Sequence, residues 1–375
     1  MWFRIFPLSL HCKIKNKIYM CLYIGNKKPL VAKKDIVVYK YVQKRYCRYV
    51  TACQNYPIQT NKVLYPSHSS EDIVNTNFRK YIINGGVIHA CTSSNDSSFN
   101  GYICLKAIIK EGTEFWVQDD FKQVAARSLY ITDEVVTDKQ TNIIDFCKML
   151  IDEAPTNKDG IKIGDVLLAD KTYVSPLKEF DKSKVIGYVA CFNPQDDNPI
   201  HVGLNSDYLP FLTDPKYDHS YHSNIKYDKV EDDFDGYKHT YDIANAADYK
   251  ADLFKAIDYC INYSTEGTNK GEWYLGATGE MIAIADNVIF INAAIMLVGI
   301  GEILNLIWSW TSSQNYDRHV NGLWDVRLIN GCSTICQYWE YGSEDQVRPL
   351  IAFIKQAKRS YIKLLCNKLL NVFKV

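Results

Sequence analysis

Between Trp273 and Phe353 the chain alternates short, aromatic-bearing apolar runs with polar breaks, and this limits the possible folds more than any other feature. The runs are Trp273-Tyr274-Leu275-Gly276-Ala277-Thr278-Gly279-Glu280-Met281, Trp310-Thr311-Ser312-Ser313-Gln314, Leu323-Trp324-Asp325-Val326-Arg327-Leu328 and Gln346-Val347-Arg348-Pro349-Leu350-Ile351-Ala352-Phe353. Runs of this length suit short strands, and the breaks suit loops. A scaffold of short strands that displays variable loops points to binding rather than chemistry.

The rest of the chain sets the bounds. Its 375 residues have room for two or three domains, and 47% hydrophobic content is ordinary for globular protein. Aromatic residues at 13%, with 27 tyrosines, favour β structure and contact surfaces. The net charge is zero but unevenly placed: residues 1–50 carry twelve Lys or Arg against Asp35 alone, and residues 207–242 carry nine acids against four Lys. These read as solvated faces, and no nucleic-acid-binding fold accompanies the basic residues. Twelve cysteines without a close-paired framework read as reduced thiols made in the cytoplasm. Cys104, Cys147, Cys191 and Cys260 lie in apolar runs, where Cys acts as a small hydrophobe.

Residues 1–19 read as a non-core extension; Trp2 to Leu10 is apolar but lacks a signal-peptide cleavage site. Residues 20–136 form a β-rich module, with strands expected at Asp35–Val42, Val87–Cys91, Tyr102–Ile109, Glu114–Val117 and Ala125–Thr132. A helix over 141–153 and the linker Ala154–Gly160 make up 137–162. The second module, 163–353, opens with strands Ile163–Asp170 and Lys184–Phe192, then an acidic insertion over 205–242. Helical spacing runs from Ile243 to Tyr263, and a second helix opens at Thr278 or Gly279 with Glu280 in its first turn. Asn287 to Gly301 is too short for a membrane span and reads as buried core. Residues 354–375 read as a basic amphipathic helix. The fold class expected is α+β, a β-rich N-terminal module followed by a module of two helices and short antiparallel strands.

At these residues the C-terminal module resembles the Fibrobacter-type major-paralogous domain of Bacteroidetes and phage proteins. The resemblance rests on Gly164-Asp165-Val166-Leu167, Ile186-Gly187-Tyr188-Val189, Trp273 to Met281, Trp310-Thr311-Ser312-Ser313, Trp324 to Gly331 and Val347 to Phe353. Gly276 stands where the family pattern has proline. The resemblance implies a C-type-lectin-like fold related to formylglycine-generating-enzyme domains, often carried in tail or fibre proteins. Gly85–Cys91 and Lys110–Phe115 are also similar to pieces of small phage and bacterial β modules.

The enzymatic chemistry of the related fold finds no counterpart here. Cys332 and Cys336 have no nearby base, and the calcium-sugar signatures Glu-Pro-Asn and Trp-Asn-Asp are absent. His89 and Cys91 share a face of one strand, as a nucleophile and base would, but alternating core residues explain them as well. An ADP-ribosyltransferase-like N-module would use His89, Thr92-Ser93-Ser94 and Glu111 or Glu114, yet the diagnostic Glu-x-Glu is missing. His219, His222, Asp218 and His239 carry metal-capable groups in a stretch that reads as a solvated loop. Gly299-Ile300-Gly301 reads as a turn.

Binding is the reading that remains. The expected ligand-binding residues are Asn315, Tyr316, Arg318 and His319 in one loop and Tyr338, Trp339 and Tyr341 in another, because Tyr, Trp, Asn and Arg give large contact area at modest entropic cost. The expected function is a non-enzymatic recognition or structural protein, of the phage tail-fibre or surface-associated kind, that binds a cell-surface glycan or protein. No cofactor, metal, nucleic-acid partner or transmembrane segment is expected. Homo-oligomerisation stays open, since no heptad repeat signals it. Synthesis in the cytoplasm without a signal peptide is expected, and a place in a virion fits. The alternative is an enzyme whose ADP-ribosyltransferase-like N-module is targeted by the C-terminal domain.

Overall fold

A computed structural model describes residues 12–14, 17–19, 29–45, 48–51, 57–66, 72–75, 80–83, 88–94, 99, 101–117, 121–213, 227–247, 249–304, 309–317, 320–329, 332–338 and 345–353. The chain divides into two compact units, Met1–Met149 and Leu150–Val375. The division falls inside α1 (Ile143–Glu153), the helix expected over 141–153. Both units are built on antiparallel sheets, and the architecture is mixed α+β.

The first unit is organised by the pairing of Ile36–Arg45 with Ile103–Ile109, in register from Ile36↔Ile109 to Val42↔Ile103. Ile88–Cys91, Gln123–Ala126, Glu114–Val117 and Leu30–Val31 extend the sheet on one side; Leu129–Val135 and Lys62–Leu64 extend it on the other. Val38, Val42, Leu105, Ala107, Ile109, Phe115, Val117 and Ile131 are fully buried, and Tyr39, Tyr41, Cys104 and Trp116, which alternate with them, are buried as well, so both faces of the central strands are covered. The expected strand 125–132 is two strands, because the chain breaks at Arg127, whose backbone N donates to the Glu114 carbonyl (3.0 Å).

In the second unit one sheet runs in the order Tyr173–Val174, Val166–Leu168, Val185–Phe192, Pro199–Gly203, Pro349–Ala352, Tyr274–Leu275. The other runs Asp207–Leu209, Asp345–Val347, Ser309–Asp317, Val320–Ile329, Cys332–Tyr338. Helices α2 (Gly236–Ala244), α3 (Lys255–Asn262), α4 (Thr278–Asp286) and α5 (Val288–Val298) pack among these strands. Helices α4 and α5 are mostly buried and meet at 67°, and no single helix among the described residues is long and apolar enough to cross a membrane. Gly299 ends α5 in the left-handed conformation (φ 75°), so the Gly299-Ile300-Gly301 turn is a helix cap.

Three expectations change. The helical spacing over Ile243–Tyr263 is two helices, α2 ending at Ala244 and α3 starting at Lys255. The periodicity carries through because Ile243, Phe254, Ile257 and Cys260 all pack into one core with Phe211, Leu212 and Trp310. The Ala154–Gly160 linker is a closed turn: the side-chain oxygen of Asn157 accepts from the backbone N of Asp159 (3.0 Å) and Ile161 (2.9 Å). The acidic insertion carries the strand Asp207–Leu209, a 3-10 turn (Tyr227–Asp232) and most of α2, while 214–226 lie outside the described residues. The tail 354–375 and the extension up to residue 11 also lie outside them.

His201, fully buried on Pro199–Gly203, shows how polar groups are accommodated in this core. Its Nδ1 lies 2.8 Å from the Ile351 carbonyl, which can only accept, so Nδ1 carries the proton and Nε2 accepts from Tyr173 Oη at 3.1 Å. Burial lowers its pKa to about 4, opposed by the bond to Ile351. The folded pKa lies below the unfolded one, so the unfolded chain binds more protons between about pH 4 and 6.5. The neutral imidazole's contribution is therefore complete above that window and is lost as pH falls through it. We expect His201→Asn, which keeps a donor toward Ile351, to flatten this dependence by on the order of 3 kcal/mol across the window, read from urea unfolding at each pH.

Candidate functional site

The polar strand Trp310-Thr311-Ser312-Ser313-Gln314 runs through the interior, where its hydroxyls have a specific task. Helix α4 begins after Ala277, which has no side-chain oxygen to cap it. The Thr278 backbone N donates instead to Ser313 Oγ (2.9 Å), and Thr278 Oγ1 meets Thr311 Oγ1 at 3.0 Å. The Ala277 backbone N donates to Glu280 Oε2 (2.7 Å), and the Gly279 backbone N donates to the Asp233 carbonyl (2.9 Å). Donors at the helix start are thus satisfied by a strand more than thirty residues away, by the helix's own third residue and by the segment before α2.

Three acceptors meet around this helix start. Asp233, 7% exposed, takes the Ser313 hydroxyl on Oδ2 at 2.5 Å and the Asp235 backbone N on Oδ1 at 3.2 Å. His239 is 4% exposed, and its Nδ1 lies 3.5 Å from Asp233 Oδ2 with no hydrogen-bond partner among the described residues. Asp235 precedes α2 and is exposed, and the ligand atoms of Asp233, Asp235 and His239 lie within 4.8 Å of one another. Burial pushes the His239 pKa down, while Asp233 and Asp235 pull it up. Glu280 is 2% exposed and accepts from Tyr274 Oη (3.0 Å) as well as from Ala277; desolvation raises its pKa to about 8.

The other motif residues hold the frame. Trp273 is fully buried, with Nε1 donating to Thr268 Oγ1 (2.9 Å), and Trp310 Nε1 donates to the Leu209 carbonyl (3.0 Å). In the Val-Arg-Pro segment, the buried Arg348 guanidinium donates to the Gly203 (3.2 Å) and Glu302 (3.1 Å) carbonyls and joins two loops. A Cβ at Gly276 would sit 2.5 Å from Leu350 Cδ1 and 3.0 Å from Met281 Sδ. Trp324 lies in Val320–Ile329.

The expected loop residues fall differently. Asn315 and Tyr316 lie in the strand Ser309–Asp317, and Tyr338 ends the strand Cys332–Tyr338, so the presumed loops at 314–319 and 332–345 are largely strand. Arg318, His319, Trp339 and Tyr341 lie outside the described residues. In the backbone register Tyr316 pairs with Asn321, Asn315 with Gly322 and Tyr338 with Leu323. The hairpin closes at Asp317↔Val320, and Tyr338 pairs with Leu323, three residues or about 10 Å from that closure. The hairpin end at Asp317 and Val320 and the end of the strand at Tyr338 therefore lie toward the same end of the sheet.

The candidate groups of the first unit have structural partners. Thr92 Oγ1 donates to the Phe121 carbonyl, Ser93 Oγ to Gln140 (3.2 Å) and Ser94 Oγ to Asp138 (2.7 Å), which ties three segments together. Glu114 pairs with Arg127 at 3.3 Å, and Glu111 is exposed. Cys91 is buried with Tyr39, Tyr41, Phe99 and Cys104, and His89 is half-buried. Cys104, Cys147, Cys191 and Cys260 are free and buried, and burial pushes the Cys104 and Cys147 thiols up to about 11 and 12. His219 and His222 lie outside the described residues, but His239 is the imidazole of the Asp233 group.

No family model, curated protein or solved structure matches the chain.

Proposed function

We propose that the second unit is a C-type-lectin-like scaffold and that the protein is a non-enzymatic recognition or structural component, of the phage tail-fibre or surface-associated kind. Its ligand is a cell-surface glycan or protein, met at the end of the sheet where Ser309–Asp317 turns into Val320–Ile329 and where Cys332–Tyr338 stops. The observation that carries this reading is the convergence of those two exits, since it brings residues from separate segments to one place. The Gln337-Tyr338-Trp339-Glu340-Tyr341 run and the Tyr316-Asp317-Arg318-His319 run then supply the aromatic and Arg anchors on which such interfaces concentrate their affinity. Support for the scaffold comes from the way the motif segments assemble. Val166–Leu168 pairs with Val185–Phe192, Tyr274–Leu275 pairs with Pro349–Ala352, and the Thr-Ser-Ser strand caps the helix of the Gly-Glu-Met segment.

The test is binding to glycan arrays and to intact bacterial cells by the full chain and by Trp339→Ala/Tyr341→Ala. The double variant is expected to lose at least about tenfold in affinity with its unfolding midpoint unchanged. Adding Tyr316→Ala should deepen the loss. Binding equal to that of the unaltered chain in both variants would reject the site.

A further inference from the structure

We propose that Asp233, Asp235 and His239 form a divalent-cation site whose ion is Zn²⁺. Seven consecutive residues supply all three groups, and each is placed by a backbone bond already described or by one helical turn. The His239 backbone N donates to the Asp235 carbonyl at 3.0 Å, which sets His239 one turn along α2, above Asp235. Asp233 is fixed by Ser313 and by the Asp235 backbone N. The buried Nδ1 of His239 faces Asp233 Oδ2 across 3.5 Å with no hydrogen-bond partner among the described residues. Two ligands about 2.1 Å from a tetrahedral Zn²⁺ stand about 3.4 Å apart, so this pair already has the spacing of two ligands on one ion.

The third ligand needs a small movement, and Asp235 is exposed and able to make it. All ligand atoms lie within 4.8 Å of one another, and rotation of one carboxylate closes the remaining distance. The exposed side of Asp235 also gives the ion its entry path and leaves the fourth position to water. One imidazole nitrogen with two carboxylate oxygens suits Zn²⁺ better than Ca²⁺ or Mg²⁺, which favour all-oxygen shells. Two carboxylates match the ion's charge and outweigh the roughly half positive charge at the start of α2. Lys238, on the same helix, is engaged elsewhere, pairing with Asp242 at 2.6 Å. Ser313 takes the outer-shell role, orienting the Asp233 carboxylate toward the ion. The site is independent of the recognition surface, because α2 and the segment before it supply every ligand.

The test uses the full folded chain, stripped with chelator and with its accessible thiols alkylated, because accessible cysteines would otherwise compete for zinc. Titration with Zn²⁺ is expected to fill one equivalent and raise Tm by several degrees, and Co²⁺ is expected to give the visible bands of a tetrahedral N/O site. Asp235→Asn changes an exposed residue and should leave the metal-free Tm unchanged while weakening Zn²⁺ binding at least about tenfold. Ser313→Ala should weaken it less. Equal binding by the unaltered chain and Asp235→Asn, or no saturable binding at all, would overturn the site and leave His239 and Asp233 as an ion pair only.

Discussion

Gly279→Ala should unfold the second unit at markedly lower denaturant, although alanine is the better helix former by about 1 kcal/mol. Gly279 lies in the first turn of α4, where it donates its backbone N to the Asp233 carbonyl. A Cβ there would stand 2.6 Å from the Asp233 carbonyl oxygen, 2.6 Å from the Glu231 carbonyl oxygen and 2.8 Å from Phe234 Cε2. Two of these three neighbours are backbone, so no side-chain rotation relieves the contact, and either α4 or the segment before α2 must withdraw. Overpacking of this kind costs on the order of 3 kcal/mol, which outweighs the gain in helix propensity. The same movement would break the Ser313 and Asp233 bonds that cap the helix, so the loss of cap energy adds to it. Gly299→Ala makes the comparison clean. Its φ of 75° costs alanine about 1–2 kcal/mol, but nothing lies within 4 Å of the added methyl. Urea unfolding followed by circular dichroism should therefore rank Gly279→Ala well below Gly299→Ala, and the reverse order would mean that α4 is not seated as described.

What the sequence revealed of this fold divides by range. Helix α1 and the central strands of both units follow from local pattern, and the start of α4 with Glu280 in its first turn follows from the helix dipole; Asn287–Gly301 reads from sequence only as buried core and holds the further helix α5. The cap at α4 was beyond reach, because Ser313 and Thr278 are thirty-five residues apart and no pattern joins them. The Asp233 group was hidden for a different reason. Its acids stand among other acids of the 207–242 stretch, and only the turn into α2 separates them from solvated neighbours. At Asn315 and Tyr316 the polar composition suggested a loop, but cross-strand pairing in a hairpin closed at Asp317↔Val320 keeps them extended. Polar residues fit strands when partners satisfy the backbone, and those partners were not visible locally.

Glu280 makes a large contribution to the pH dependence of stability around neutrality, and Glu280→Gln should remove it. The side chain is buried, and desolvation, against the bonds from Ala277 and Tyr274, raises its pKa from the ordinary 4.5 to about 8. In the unfolded chain it titrates near 4.5, so between about pH 4.5 and 8 the folded state holds the extra proton. Stability then falls as pH rises through that window and levels above it. The window corresponds to on the order of 5 kcal/mol. His201 works in the opposite sense below about pH 6.5, so the two offset each other over the acid half. The decline due to Glu280 is therefore exposed between about pH 6.5 and 8. Glutamine has the same shape, and its carbonyl still accepts from the Ala277 backbone N while its amide faces Tyr274 Oη. Measured by urea unfolding in chelator, Glu280→Gln should match the unaltered chain near pH 5 and exceed it near pH 8. It should also lose the slope between them. Glu280→Ala separates charge from capping, since it removes the acceptor for Ala277 at every pH and should be destabilised throughout. A Glu280→Gln chain with the same slope as the unaltered one would assign the proton uptake to another group and leave Glu280 ionised in the fold.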